Sequence, residues 1–332
     1  MRKLASIRVI SEIRPIPNAD AIELAIVDGW ECVVAKKDNY KQGDKIIYIE
    51  IDSLLPECPD FEFMRKSKFR VRTKKLRGQI SQGLVMPCEI LPDGEYTVGD
   101  DVTEVLNIRK YMKEELRGEK VKKKPGVPFP EWISKTDEER IQNLVPLFEK
   151  CRDEKTKFMV TEKLDGTSTT YYLKKEDNGE YRFGICSRNL EIEPEGENSY
   201  VRVNERYQME TVLKSLIGDA ESVVLQGETI GPKIQGNRYQ LEESDFYAFN
   251  LIYPEKRLST VEIAEKLKPF GIKTVPIMET EFTLPEKISD LVEYVKGNSV
   301  LVQRNREGCV FRNMEENISF KCISPEFLLE GN

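Results

Sequence analysis

Between residues 107 and 130 the chain cannot sustain a packed core. Lys110–Lys124 is mostly charged and ends in Lys122-Lys123-Lys124, and Pro125-Gly126-Val127-Pro128-Phe129-Pro130 follows directly. Charged side chains resist burial, and three prolines in six residues remove amide donors and restrict the residues before them. Residues 107–130 are therefore expected to form a charged, proline-rich linker. It separates one folding unit at 1–106 from a second at 131–332. A length of 332 residues accommodates two domains of about 150 residues each.

The first unit reads as all-β. Short apolar runs at 6–13, 21–27, 32–35 and 45–51 are separated by turn chemistry at Pro17-Asn18, Asp28-Gly29 and Gln42-Gly43-Asp44. Strands at this spacing suggest a small barrel or sandwich. Ile16-Pro17-Asn18-Ala19-Asp20, followed by an alternating strand, resembles the opening of OB-type tRNA-binding domains.

Within this unit, Met64–Gly78 carries eight basic residues and no acidic one. Phe69, Val71 and Leu76 are interleaved with them. In Phe69-Arg70-Val71-Arg72 the alternation predicts a strand with both arginines on one face. Cations beside aromatic side chains suit a phosphate backbone, while an edge strand guarded by charge explains the same run. The single sign of the run tips the balance toward nucleic acid. The lysines at 122–124 read equally well as an RNA contact and as a solubilising tether.

The second unit reads as α+β. Helices are expected at 138–151, capped by Thr136 or Asp137, and near 200–216, 261–267 and 287–295. Strands are expected at 158–161, 169–173, 222–226, 246–252, 309–312 and 318–323.

The chain contains no histidine. Serine–histidine triads, cysteine–histidine proteases and imidazole zinc sites are thereby excluded. The seven cysteines are odd in number, widely spaced and without a CxxC pair, which fits a reducing, cytoplasmic compartment better than a disulfide framework. The start lacks the apolar core of a signal peptide, and no apolar run approaches the eighteen residues of a membrane span. The net charge of −7 argues against blanket nucleic-acid binding but not against local basic faces.

Chemistry is concentrated in Glu162-Lys163-Leu164-Asp165-Gly166-Thr167-Ser168, a lysine at a strand end followed by an acid and a glycine. Alone, this is equally a hairpin turn on Asp165-Gly166. Downstream lie Ser187-Arg188-Asn189, Leu225-Gln226-Gly227-Glu228, Phe246-Tyr247-Ala248-Phe249-Asn250, Glu307-Gly308-Cys309-Val310-Phe311-Arg312 and Ser319-Phe320-Lys321-Cys322-Ile323-Ser324. In this order the set resembles motifs I, Ia, III, IIIa, IV and V of the covalent nucleotidyltransferases, the superfamily of polynucleotide ligases and capping enzymes.

The resemblance spans nearly all of 131–332 and implies the following roles. Lys163 is the nucleophile that attacks the α-phosphate of a nucleoside triphosphate. Glu162 lies at the adenine edge, Arg188 near the nucleotide and the RNA end, and Glu228 near the ribose hydroxyls. Phe249 stacks on adenine, with Tyr247 a rival for that place. Glu307 lies near a divalent metal, Mn²⁺ or Mg²⁺, and Lys321 on the α-phosphate. Asp165, Glu228 and Glu307 hold the metal through its water shell. A nucleophilic lysine needs a lowered pKa, and Lys321, Arg188 and the metal are expected to supply the positive charge. Motif V departs from the K-x-K pair of many relatives, because Ile323 occupies the second lysine's place. Arg306, Arg304 and Arg140 are candidates to replace it.

An OB module before the catalytic unit, and a chain ending 11 residues after Lys321, resemble the RNA ligase 2-like family, above all its Naegleria-type members. Pro130–Asn143 resembles the opening of their catalytic domain, which implies that Lys135 and Arg140 reach the β- and γ-phosphates. The implied fold is α+β, an N-terminal OB-like barrel followed by an ATP-grasp-like ligase domain of antiparallel sheets with flanking helices. The implied enzyme is a monomeric, ATP-dependent RNA ligase. It would seal 3′-OH and 5′-phosphate RNA ends through lysyl-AMP, away from any membrane. The alternatives are a DNA-joining or capping-type enzyme, or an OB-fold RNA-binding protein with an inactive ligase domain. No GxxxxGK[ST] occurs, so a P-loop kinase is not supported.

Overall fold

The computed structural model describes residues 3–111 and 123–330. The charged run 112–122, expected as part of the linker, lies outside the described residues.

The N-terminal unit is built around one long strand. β1 (Ala5–Pro15) pairs antiparallel with β4 (Lys45–Ile49) through its first half and with β2 (Ile22–Val27) through its second. A bulge between Ile10 and Glu12 marks the change of partner. An extra residue there bends and twists the strand, which curls the sheet toward a barrel. β3 (Trp30–Ala35) adds beyond β2, and β5 (Leu84–Pro87) beyond β4, giving the order β3-β2-β1-β4-β5. Alternate residues fill two cores. Ile7, Ile47 and Ile49 face Phe61, Phe69 and Val71, while Ile10, Val27, Trp30 and Tyr48 pack together on the other side.

The second unit holds two antiparallel sheets. The larger comprises β6 (Lys123–Pro128), β10 (Leu190–Ile192), β9 (Tyr181–Cys186), β8 (Thr167–Lys175), β11 (Ser222–Ile230) and β12 (Asp245–Tyr253) in that spatial order, extended by short strands at its far edge. Helices α2 (Ser199–Tyr207), α3 (Met209–Ile217) and α4 (Thr260–Leu267) cover one face, burying Tyr171, Leu173, Leu225, Phe246 and Leu251. The smaller sheet has the order β13 (Ile277–Thr283), β7 (Lys157–Lys163), β14 (Gly308–Asn313) and β15 (Ile318–Ile323). It packs Phe158, Phe311 and Phe320 against α1 (Val145–Asp153) and α5 (Ile288–Tyr294). The chain passes from one sheet to the other through Leu164-Asp165-Gly166, so the lysine motif is the corner between them.

Several expectations are corrected. The helix expected at 138–151 is confined to Val145–Asp153, with a single 3-10 turn at Ile141–Asn143 before it. Residues 134–140 instead run as irregular chain across the sheet face, where Ser134 O accepts from Gln226 and Thr136 meets Ser168. The helix expected at 200–216 breaks in two at Gln208, whose φ of 50° is left-handed. The expected linker is structured at both ends. Arg109–Lys110 pairs with Ser53–Leu54, and Lys123–Pro128 is an edge strand of the larger sheet, where missing proline donors cost least. Phe69–Arg72 is not a strand. Lys68 and Phe69 are left-handed, and Phe69 and Val71 anchor the segment in the barrel core.

The two units meet at a polar seam. Trp30 Nε1 donates to Asn143 Oδ1 at 2.7 Å, and Asn143 Nδ2 donates to Glu50 Oε1 at 2.7 Å. Gly29 N donates to Gln142 O at 3.3 Å.

Candidate active site

The pocket is built on the corner between the sheets. Lys163 ends β7 opposite Gly308, and its Nζ lies 2.8 Å from Oε1 and from Oε2 of Glu307. Gly308 has φ 154°, and a Cβ there would stand 2.2 Å from Cys322 O. The backbone that carries Glu307 to the lysine thus has no room for a side chain at the next position. Gly166 is similarly enclosed, since its Cβ would meet Thr229 O at 2.4 Å. That close approach lets Gly166 N donate to Glu228 Oε1 at 3.1 Å. Asp165 N donates to the Tyr239 hydroxyl at 2.8 Å.

Electrostatics set the resting state of the lysine. Desolvation pulls the Lys163 amine down, but the charges of Glu307, Glu228 and Asp165 outweigh it, and the net shift is upward. Burial pushes the Glu228 carboxyl up to about 8, with Glu307 and Asp165 adding to the rise against Lys163 and the Gly166 amide. Lys163 is therefore an ammonium held by acids, and neither Lys321 nor Arg188 is among the main groups that shift it. Among the described residues no three acids converge as direct metal ligands. Asp165, Glu228 and Glu307 instead all act on the Lys163 ammonium, with Glu307 in direct contact.

Glu162 is buried at 1% exposure beside this lysine. Its Oε2 accepts from Val300 N at 2.8 Å, while Oε1 is buried with no partner. A buried acceptor left open is costly unless a ligand donates to it.

A family model described as RNA ligase matches residues 156–323, and one described as an OB-fold domain matches 4–88. The chain belongs to the RNA ligase family. No curated relative matches it by sequence. Among solved structures, this RNA ligase is similar to a lysine-to-methionine variant of Naegleria gruberi RNA ligase with AMP and Mn. The identity is 38%, 99% of each chain is covered and the TM-score is 0.89. A lysine-to-alanine variant with ATP and Mn matches at 37% identity, 99% of each chain and TM-score 0.88. The same organism's enzyme with PPi matches at 38%, 99% of each chain and 0.86. These likenesses bear out the expected α+β architecture. The DNA-joining, capping and binding-only alternatives gain no support from them.

The remaining expected site residues of the ligase divide into two groups. Lys321 joins the pocket side, because Thr161, Val310 and Lys321 stand in one row across the smaller sheet, two residues from Lys163 and on its face. Arg188, at the β9–β10 turn, pairs with Asp137 at 2.6 Å, and Lys321 and Lys110 add to the field that lowers the Asp137 carboxyl against its burial. Phe249 and Tyr247 lie in one apolar cluster with Leu164, Tyr239 and Val275. Tyr247 is directly opposite Glu228 in the ladder, with the Lys273 ammonium 5.3 Å from its ring centre.

The second group has surroundings of its own, although the Arg140 backbone bridges to Lys321. Arg140 is buried at 6% exposure, its guanidinium over the Trp30 ring at 5.6 Å and beside Cys322, so it belongs to the seam between units. Arg306 reaches Met278 Sδ, and Arg304 is exposed. Lys135 is exposed on the segment that crosses the sheet.

Two features escaped sequence reasoning. Tyr239 holds the lysine corner through its hydroxyl, from a loop with no motif around it. Arg312, buried at 9% exposure, donates to Phe249 O at 2.8 Å and to Glu138 Oε1 at 3.0 Å, while Ser319 Oγ bonds Glu138 Oε2 at 2.5 Å. That network ties both sheets to the crossing segment. Its only sequence signal is a charged residue at a buried strand position.

Proposed function

We propose that this chain is an ATP-dependent RNA ligase with Lys163 as its nucleophile. The observation that carries the reading is the Lys163 ammonium, 2.8 Å from both Glu307 oxygens at the corner between the sheets. A protonated lysine cannot attack. Glu307 is the carboxylate in reach of its proton. Once free, Nζ attacks the α-phosphorus of ATP, the nitrogen–phosphorus bond forms, and the bond to the bridging oxygen breaks to release pyrophosphate. A 5′-phosphate oxygen of RNA then attacks the lysyl-AMP phosphorus, and Lys163 leaves with a proton. Finally a 3′-hydroxyl attacks the activated 5′-phosphate, AMP departs, and a phosphodiester remains.

Asp165, Glu228 and Glu307 would hold Mn²⁺ or Mg²⁺ through water, which would offset their charge on the lysine and shield the phosphoryl oxygens. Lys321 and Arg188 supply cations for phosphate oxygens. Glu162 Oε1 fits the exocyclic amine of adenine, whereas guanine carries an oxygen at the corresponding ring position. Phe249 or Tyr247 offers the base a ring face. The solved Naegleria gruberi relatives with ATP, AMP, PPi and Mn support this reading.

The ends joined are 3′-hydroxyl and 5′-phosphate RNA ends, and one chain carries every group the reaction needs, as a monomer would require. Seven free thiols agree with a reducing, cytoplasmic setting. No helix among the described residues is long and apolar enough to cross a membrane. The division is 1–106 as the OB unit, 131–332 as the catalytic unit and 107–130 as a connection whose ends pair with them, Arg109–Lys110 with the first and Lys123–Pro128 with the second.

The test is incubation with α-labelled ATP and Mn²⁺ or Mg²⁺, followed by denaturation. Wild type is expected to retain label and Lys163→Ala to retain none. Absence of label on wild type with either metal would overturn the reading.

A further inference from the structure

The basic run of the OB unit lies outside the corner that carries Lys163, and its placement is specific. Pro59–Ser67 forms a 3-10 helix that buries Phe61 but leaves Phe63 at 60% exposure. The chain then turns through the left-handed Lys68 and Phe69 and later forms a hairpin, Lys74–Leu76 against Gln79–Ser81. Arg77-Gly78 makes its tip with φ of 49° and 87°, a pair of left-handed residues that fits a tight two-residue turn. Lys74 Nζ donates to Ser67 Oγ at 2.7 Å, so helix and hairpin form one lobe.

The charges of this lobe divide sharply. Arg65 pairs with Glu62 at 2.6 Å and Arg70 with Asp52 at 2.6 Å, so these two are neutralised within the barrel. Lys66, Lys68, Lys74, Lys75 and Arg77 are exposed, and among the described residues none has an acidic partner within ion-pair distance. Five unneutralised cations beside an exposed aromatic ring form the pattern that holds a nucleic-acid strand, with ammonium groups on phosphates and a ring for a base. Folding alone does not explain Phe63, since its ring is left in water.

The lobe also connects to the catalytic pocket. The Arg70 guanidinium stacks on Tyr111 at 3.8 Å, and Tyr111 N donates to Asp52 O at 2.7 Å. The neighbouring Arg109–Lys110 strand lies close enough to the catalytic unit for Lys110 to act on Asp137, the partner of Arg188. Arg109–Lys110 thus lies between the Arg70–Tyr111 contact of the lobe and the Asp137–Arg188 pair.

We propose that this lobe, through Phe63, Lys66, Lys68, Lys74, Lys75 and Arg77, grips the RNA substrate and leads its end to Arg188. The proposal deepens the ligase reading and rests on it. The lysine corner lies between the two sheets of the second unit and not on the lobe, so loss of the lobe is expected to affect RNA binding and sealing while leaving lysine adenylylation intact.

The experiment measures binding of a 5′-phosphorylated RNA oligonucleotide by fluorescence anisotropy from 50 to 300 mM salt, with adenylylation and thermal melting measured on the same samples. The triple variant Lys74→Ala, Lys75→Ala, Arg77→Ala is expected to bind at least about 10-fold more weakly and to lower the salt slope by roughly 2. Its adenylylation is expected to stay within about two-fold of wild type. Phe63→Ala is expected to weaken binding with little change in slope, as a stacking contact does. The charge-keeping variant Lys74→Arg, Lys75→Arg, Arg77→Lys should bind as wild type. Unchanged RNA affinity and slope in the folded, adenylylating triple variant would overturn the proposal. Failure of wild type to adenylylate would instead overturn the ligase reading beneath it.

Discussion

Around Lys163, three carboxylates crowd one ammonium in a recess where the lysine side chain is 27% exposed and that of Glu307 is 15% exposed. The Lys66–Arg77 lobe does the reverse, spreading cations of one sign over open surface with their acidic neighbours spent elsewhere. In the pocket, desolvation and mutual charge shift proton affinities far enough that each group depends on the others. On the lobe, water and salt screen each charge, so contributions are small, nearly additive and sensitive to ionic strength. The first arrangement makes and holds a reactive group. The second suits a long polyanion that must slide and be released.

The comparison can be broken most forcefully at the network beneath the pocket. Arg312→Ala leaves the half-buried Glu138 without its cation and Phe249 O without its donor. It is expected to cost about 3–5 kcal/mol by urea unfolding, the range for splitting a buried pair. A loss under about 1 kcal/mol would mean the pocket wall is as tolerant as the lobe.

Gly166→Ala comes next, at roughly 1–3 kcal/mol, because its Cβ would meet backbone rather than a movable side chain. Adenylylation should fall with it, since the same shift moves Asp165 and Glu228. A variant with wild-type melting and labelling would show that the corner is not tight.

Glu228→Gln is expected to stabilise. The folded-state pKa of Glu228 is raised to about 8, so the unfolded chain binds fewer protons than the folded one between its ordinary value near 4.3 and that pH. Wild-type stability from this group therefore falls as pH rises across that window. In metal-free buffer at pH 8, Glu228→Gln should melt about 2–4 °C above wild type, and the gap should close toward pH 4. A gap that is constant with pH would reject the assignment.

The lobe variants should move stability least, within about 0.5 kcal/mol, because their charges are exposed and have no acidic partner among the described residues. A larger loss in melting would mean that these side chains support the barrel rather than a ligand.

Much of this was legible in the chain. The strands at 318–323 and 222–226 follow from apolar alternation, and residues 163–323 carry their motifs in an order that the RNA ligase family shares. Helix boundaries were less legible. Residues 138–144 have helical composition, yet Glu138 is drawn to Arg312 and Ser319, and Arg140 to the Trp30 seam, so tertiary contacts override local preference. Gln208 interrupts a continuous helical pattern for a similar reason, since α2 and α3 pack separately on the curved sheet. The place of Arg140 under the Trp30 ring was not legible, because only the packed N-terminal unit brings that ring over it.

The sequence by itself determined which groups can act. A chain without histidine must run its chemistry on lysine, arginine, cysteine, tyrosine, carboxylates or a bound metal ion. Tertiary structure alone decided the proton state of Lys163 and which cations remain available. Those properties depend on distances between residues far apart in the chain, such as Lys163 to Glu307 and Arg70 to Asp52, and on the water that folding excludes. Local sequence carries neither quantity, because burial and charge proximity exist only once the two sheets and the barrel have packed.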